Sequence, residues 1–97
     1  MPVWISTVNA TPSTDGGPFE NHKGVVVNAV TYAENKEVAI KNITQGLNEY
    51  NLQVIAIDDL EKFPNHQSLQ TKELRKLAAK SQKYFTTEFD VFYTYDE

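Results

Sequence analysis

Apolar residues recur at every second position in residues 3–10 and 25–32 and at every third or fourth position beyond Asn35. That change of period commits the chain to strands first and an amphipathic helix next. In residues 3–10, Val3, Ile5 and Thr7 fall on one side and Trp4, Ser6 and Val8 on the other. Neither side is clearly polar, so an interior strand is expected. Residues 11–24 hold two prolines and three glycines without a period, the composition of a long loop. Residues 25–32 then alternate Val25, Val27 and Ala29 against Val26, Asn28 and Val30, a second strand paired with the first.

The helix that follows places Ala39, Ile40, Ile43, Leu47 and Tyr50 on one stripe and leaves Lys36, Glu37, Lys41, Asn42, Thr44 and Glu49 outside it. Asn35 is placed to cap its first N–H groups, Glu37 suits the positive end of its dipole, and Asn51 can end it in a left-handed conformation. Residues 52–58 form a third strand running into Asp58-Asp59, and its mixed apolar faces suggest the centre of the sheet. A connector over 60–67 contains Pro64. Ser68 or Thr71 then opens a second helix with Leu74, Leu77, Ala78, Ser81 and Tyr84 or Phe85 along its stripe. In the last strand, 88–95, Phe89, Val91, Tyr93 and Tyr95 alternate with Asp90, Phe92, Thr94 and Asp96.

The order ββαβαβ predicts a single α+β domain over residues 1–97. It is a two-layer sandwich in which two helices cover one face of a four-stranded, mixed or mostly antiparallel sheet. The opposite face is then solvated, covered by the long loop, or used.

Composition removes several classes of function. Without cysteine there is no disulfide framework, no thiolate zinc site and no thiol nucleophile. No apolar run approaches the ~20 residues that span a bilayer. The Met1-Pro2-Val3-Trp4 start lacks a basic segment followed by an apolar one, so a cytoplasmic location is expected. The net charge is −4, yet residues 71–84 carry Lys72, Arg75, Lys76, Lys80 and Lys83 against Glu73 alone. With a local charge of +4 there, the remainder carries −8. The Lys row could follow a phosphate backbone, but an acidic chain disfavours nucleic acid, and such a row also suits the solvated face of a helix.

His22 and His66 each lie near carboxylates, but neither has the spacing of a metal site, and no metal or cofactor is expected. Asp58-Asp59 sits at a strand end, where carboxylates can collect magnesium, but adjacent strand residues point to opposite faces. The serines lack a nucleophile-elbow context, and Gly16-Gly17 is followed by no phosphate-loop pattern. Asn9-Ala10-Thr11 and Asn42-Ile43-Thr44 are sequons that matter only in a secreted chain. These absences make a catalyst the weaker expectation. The last strand offers Phe92, Tyr93 and Tyr95 among Asp90 and Asp96, the pattern of aromatic anchors ringed by acids that receives a protein partner. The long loop, with Phe19 and His22, either covers Phe92 or is itself presented.

The stretch from 25 to 63, a strand followed by AENKEVAIKNITQGLNEYNLQVIAIDDLEKF, resembles the strand-helix-strand unit of many small bacterial proteins, including immunity proteins of polymorphic toxin systems. The likeness implies a small acidic cytoplasmic binder without cofactors and transfers no functional residue. The sequence therefore predicts a non-catalytic protein-binding module, an immunity or inhibitor protein directed at a toxin or enzyme. Its contacts are drawn from Asp90, Phe92, Tyr93, Tyr95 and Asp96 of the last strand, from Asp58 and Asp59, and from the loop segment 15–22, which holds Phe19 and His22. Two other readings remain. One is a small ligand-binding or enzymatic domain with Trp4, Asn28 and His22 around a pocket on the open face. The other is a homodimer that covers that face with its own mate.

Overall fold

A computed structural model describes residues 2–13, 17–63 and 72–96. Asp15, His66, Ser68 and Thr71 lie outside the described residues. The elements are β1 (Val3–Pro12), β2 (Gly24–Tyr32), α1 (Lys36–Asn48), β3 (Leu52–Phe63), α2 (Lys72–Tyr84), β4 (Thr87–Phe89) and β5 (Tyr93–Tyr95). All the strand pairs are antiparallel. The sheet runs β3-β1-β2-β4, with β5 also on the outer side of β2. The α+β class and the antiparallel sheet are as the sequence predicts, but the last predicted strand is two short ones.

β1 and β2 pair without interruption from Val3↔Tyr32 to Ala10↔Val25. Paired residues share a face and odd separations along a strand change it, so Ile5 and Val30 lie on one face and Val8 and Val27 on the other. Ile43 and Leu47 of α1 cluster with Val8, Ala10, Val25, Val27 and Ala29, whereas Leu74 and Ala78 of α2 cluster with Val3, Ile5 and Val30. The expectation of two helices on one face is thus overturned. Both faces of this end are buried, Val3, Ile5 and Val30 on one side and Trp4, Ser6, Ala29 and Thr31 on the other, and burying each of them requires a cover on each side. The helices flank the sheet, and the two-layer arrangement becomes three layers at that end.

Local chemistry sets the limits of α1. Asn35 is extended, and its Oδ1 accepts from the Val38 N–H at 2.9 Å, which satisfies one of the free donors of the first turn. Asn51 has φ of 58°, the left-handed conformation that lets the chain leave the helix and enter β3. The Trp4 indole N–H donates to the Ala33 carbonyl at 3.0 Å and the ring packs with Ala33 and Ala39, which fixes the approach of the chain to the helix.

β3 lies at an edge and not at the centre, and it extends through Phe63, where the sequence suggested a connector. Its mixed apolar faces come from two irregularities. Asn9↔Ala56 is followed by Ala10↔Val54, which leaves Ile55 unpaired and exposed, and Ile5↔Glu61 and Thr7↔Asp58 enclose one residue of β1 but two of β3. Each extra residue reverses the alternation after it. Asp59, inside the second irregularity, has φ of 54°, and the Ser6 hydroxyl donates to the Asp58 carbonyl at 2.6 Å.

Gly24 opens β2 opposite Tyr95, and a Cβ there would overlap the Tyr95 ring. Gly24→Ala is therefore expected to displace Tyr95. Ile43→Ala, at a fully buried position of α1, should cost about 2 to 5 kcal/mol in denaturant melts through the cavity it leaves. A loss below about 0.5 kcal/mol would mean that the stripe does not face the core.

Candidate interaction surface

Three residues, 90–92, separate β4 from β5, whereas only Val27 and Asn28 separate their partners on β2. The extra residue makes a bulge, with the Asp90 N–H donating to the Asn28 carbonyl at 2.9 Å. Phe89 pairs with Ala29 on the α1 side of the sheet and Tyr93 pairs with Val26 on the other side. One strand of strict alternation would have kept Phe89, Val91, Tyr93 and Tyr95 on one face. The bulge divides them.

Its consequence for Phe92 is inward rotation. Phe92 is half-buried against the core that holds Val25 and Leu47, with its ring centroid 5.0 Å from that of Phe19 and 5.2 Å from that of Tyr50, both in edge contact. Edge-to-face rings of this kind add to the area they bury. The residues left outside are Val91, 61% exposed, and Tyr93, 65% exposed. Val91 faces α2 across a groove of about 450 Å³ whose walls include Leu77, Lys76, Glu73 and Asp90.

The remaining predicted contacts form two groups. Tyr95, half-buried over Gly24, donates its hydroxyl hydrogen to Asn9 Oδ1 at 2.7 Å. His22 Nδ1 lies 3.0 Å from Asp96 Oδ1, and the Lys23 N–H donates to the Tyr95 carbonyl at 3.0 Å. The described part of the loop is thus clipped to β5 while Phe19 reaches over Phe92. Tyr95, Asp96, His22, Phe19 and Phe92 are brought together at this end, with Tyr93 and Asp90 beside them.

Asp58 and Asp59 are not part of this group. They sit on β3 across β1 and β2, about 14 Å away at ~4.8 Å per strand. Both are exposed, and with Glu61 and Lys62 they place charge along an edge strand, which discourages pairing with another chain.

Ser6 and Ser81 are buried and spend their hydroxyls on the Asp58 and Thr86 carbonyls. Among the described residues no group of three or more His, Asp or Glu is placed to hold a metal ion. Trp4 is buried on the α1 side and Asn28 belongs to the opposite face, hydrogen-bonded to Thr7 at 2.9 Å. The pocket imagined around Trp4, Asn28 and His22 therefore does not form. Among the described residues no helix is long and apolar enough to cross a membrane.

Sequence reasoning missed Val91 as a surface residue because it assigned it to the core by period, whereas Leu77, half-buried against Val3, Ile5 and Val30, keeps the core side that its period gave it. Three consecutive large apolar residues, Val91-Phe92-Tyr93, are the one available sign that a single strand face cannot hold them all. No known family model matches the chain, nor does any curated protein or solved structure.

Phe92→Ala is expected to destabilise the monomer by roughly 1 to 3 kcal/mol, less than a fully buried Phe because the ring is only half-covered. Thermal or denaturant melts read this directly. An unchanged midpoint would place the ring in solvent.

Proposed function

We propose that the protein is a non-catalytic binding module that acts by covering a partner protein, in the manner of an immunity or inhibitor protein that blocks a toxin or enzyme. Its contact surface runs from Leu77 through Val91 to Tyr93, with Asp90 and Asp96 beside it. The observation that carries the reading is the exposure of Val91 and Tyr93 on a segment whose neighbours Phe89, Phe92 and Tyr95 all make contacts with the sheet or core. Tyr93 is held on paired backbone, with Val91 beside it in the bulge, and an exposed aromatic side chain held in this way binds with little loss of conformational entropy. Asp90 and Asp96 add charge that favours encounter with a basic patch. The cysteine-free chain suits a reducing cytoplasm.

Val91→Asp and Tyr93→Ser alter exposed side chains and are expected to leave the melting midpoint nearly unchanged. Each should weaken capture of a partner from the native host, and then the measured affinity for that partner, by about 1 to 4 kcal/mol. Equal capture by wild type and both variants would count against this surface. If the variants instead turn a dimer into monomers in light scattering, the partner is a second copy of the chain.

A further inference from the structure

The α1 side of the sheet carries a second concave feature, which shares Phe89 with the groove beside Val91. β4 is only three residues long, and between it and α1 lies a recess of about 370 Å³. Phe89 and Tyr50 supply its aromatic wall, their ring centroids 6.1 Å apart in edge contact. The close fit of Phe89 to the helix depends on Gly46, where a Cβ would come within 2.8 Å of the ring.

The polar lining is rich in acceptors. Asn42 Nδ2 donates to Thr31 Oγ1 and to the Tyr32 carbonyl, both at 3.2 Å. With both amide hydrogens committed, Oδ1 remains as an acceptor, and among the described residues no donor takes it. Thr86 Oγ1 already donates to Glu88 Oε2 at 2.6 Å. Glu49 is the one charged residue among the described residues lining the recess, and it forms no ion pair with another described residue. No Lys or Arg is among the described lining residues, so an anion finds no counter-charge there.

A carboxylate beside two aromatic rings and an unspent amide oxygen is complementary to a group with several N–H donors, a positive charge and a short apolar stem. We infer that this recess binds an alkylammonium group, the stem against Phe89 and Tyr50 and the ammonium on Glu49. Two sources share that chemistry: a free small amine, and a lysine side chain presented by another protein. Glu49 is the C-cap of α1 and is exposed, so its side chain can be altered without disturbing the core.

The test is titration of the ¹⁵N-labelled protein with n-butylammonium chloride, followed through amide shifts. Saturable shifts are expected at Gln45, Gly46, Glu49, Thr87 and Phe89, and Glu49→Gln, verified as folded by its melt, should weaken binding by about tenfold or more. 1-Butanol, which has the stem without the charge, should produce no comparable shifts. Nα-acetyl-lysine amide separates the sources. Affinity equal to that of butylammonium assigns the recess to a lysine side chain, and binding weaker by about tenfold or more assigns it to a free amine. The inference is overturned if butanol binds as well as butylammonium or if Glu49→Gln changes nothing. It also falls if saturable shifts are absent or spread over the acids of β3.

Discussion

The unbroken pairing of β1 with β2 is the constraint from which the remaining architecture follows. Eight consecutive pairs, Val3↔Tyr32 to Ala10↔Val25, fix which side chains lie on each face. Their ends toward Val3 and Tyr32 are buried on both faces. A hairpin of that kind is unstable in water until it is covered twice. α1 crosses from β2 to β3 on one side, and α2 returns from β3 to β4 on the other. Each helix brings a narrow stripe: Ala39, Ile43 and Leu47 in the first, Leu74, Ala78 and Ser81 in the second.

Away from that end the second face has no helix, and its character changes accordingly. Thr7 bonds to Asn28, Asn9 to Tyr95, and Thr11 to the Lys23 carbonyl. These bonds satisfy polar side chains on a surface that stays wet. On the α1 side the core is closed by rings, with Phe19 from the loop, Tyr50 from the end of the helix, and Phe89 and Phe92 meeting one another. The surplus residue in the 90–92 segment links these two solutions. By reversing the alternation it sends Phe92 into the ring cluster and leaves Val91 and Tyr93 outside, so the most exposed apolar group on this segment is a by-product of completing the core.

The candidate site was legible in part for the same reason. The aromatic and acidic content of 88–96 marked the segment on which the structure leaves Val91 and Tyr93 exposed. Phe92 and Val91 exchanged the roles that period-two reading gave them, because one inserted residue outweighs any alternation in the strand itself. Asp58 and Asp59 looked like neighbours of that segment only in composition; strand order separates them, and order in a sheet depends on contacts between elements far apart in sequence. The recess beside α1 left no sequence signal, since it arises from the shortness of β4 and the fit of Phe89 against Gly46.

By itself the sequence determined the local structure: the change of period that separates strands from helices, the cap at Asn35, the left-handed exit at Asn51, and the absence of any thiol chemistry. Those features act within a turn or two of the chain, through side-chain bonding to nearby backbone and through the spacing of apolar residues. Only the tertiary structure decided the position of β3 at an edge, the placement of the helices on opposite faces, and the identity of the side chains left outside. Each of these is settled by competition for the same buried area among segments tens of residues apart, and a single bulge can reverse the outcome without altering the local pattern that precedes it.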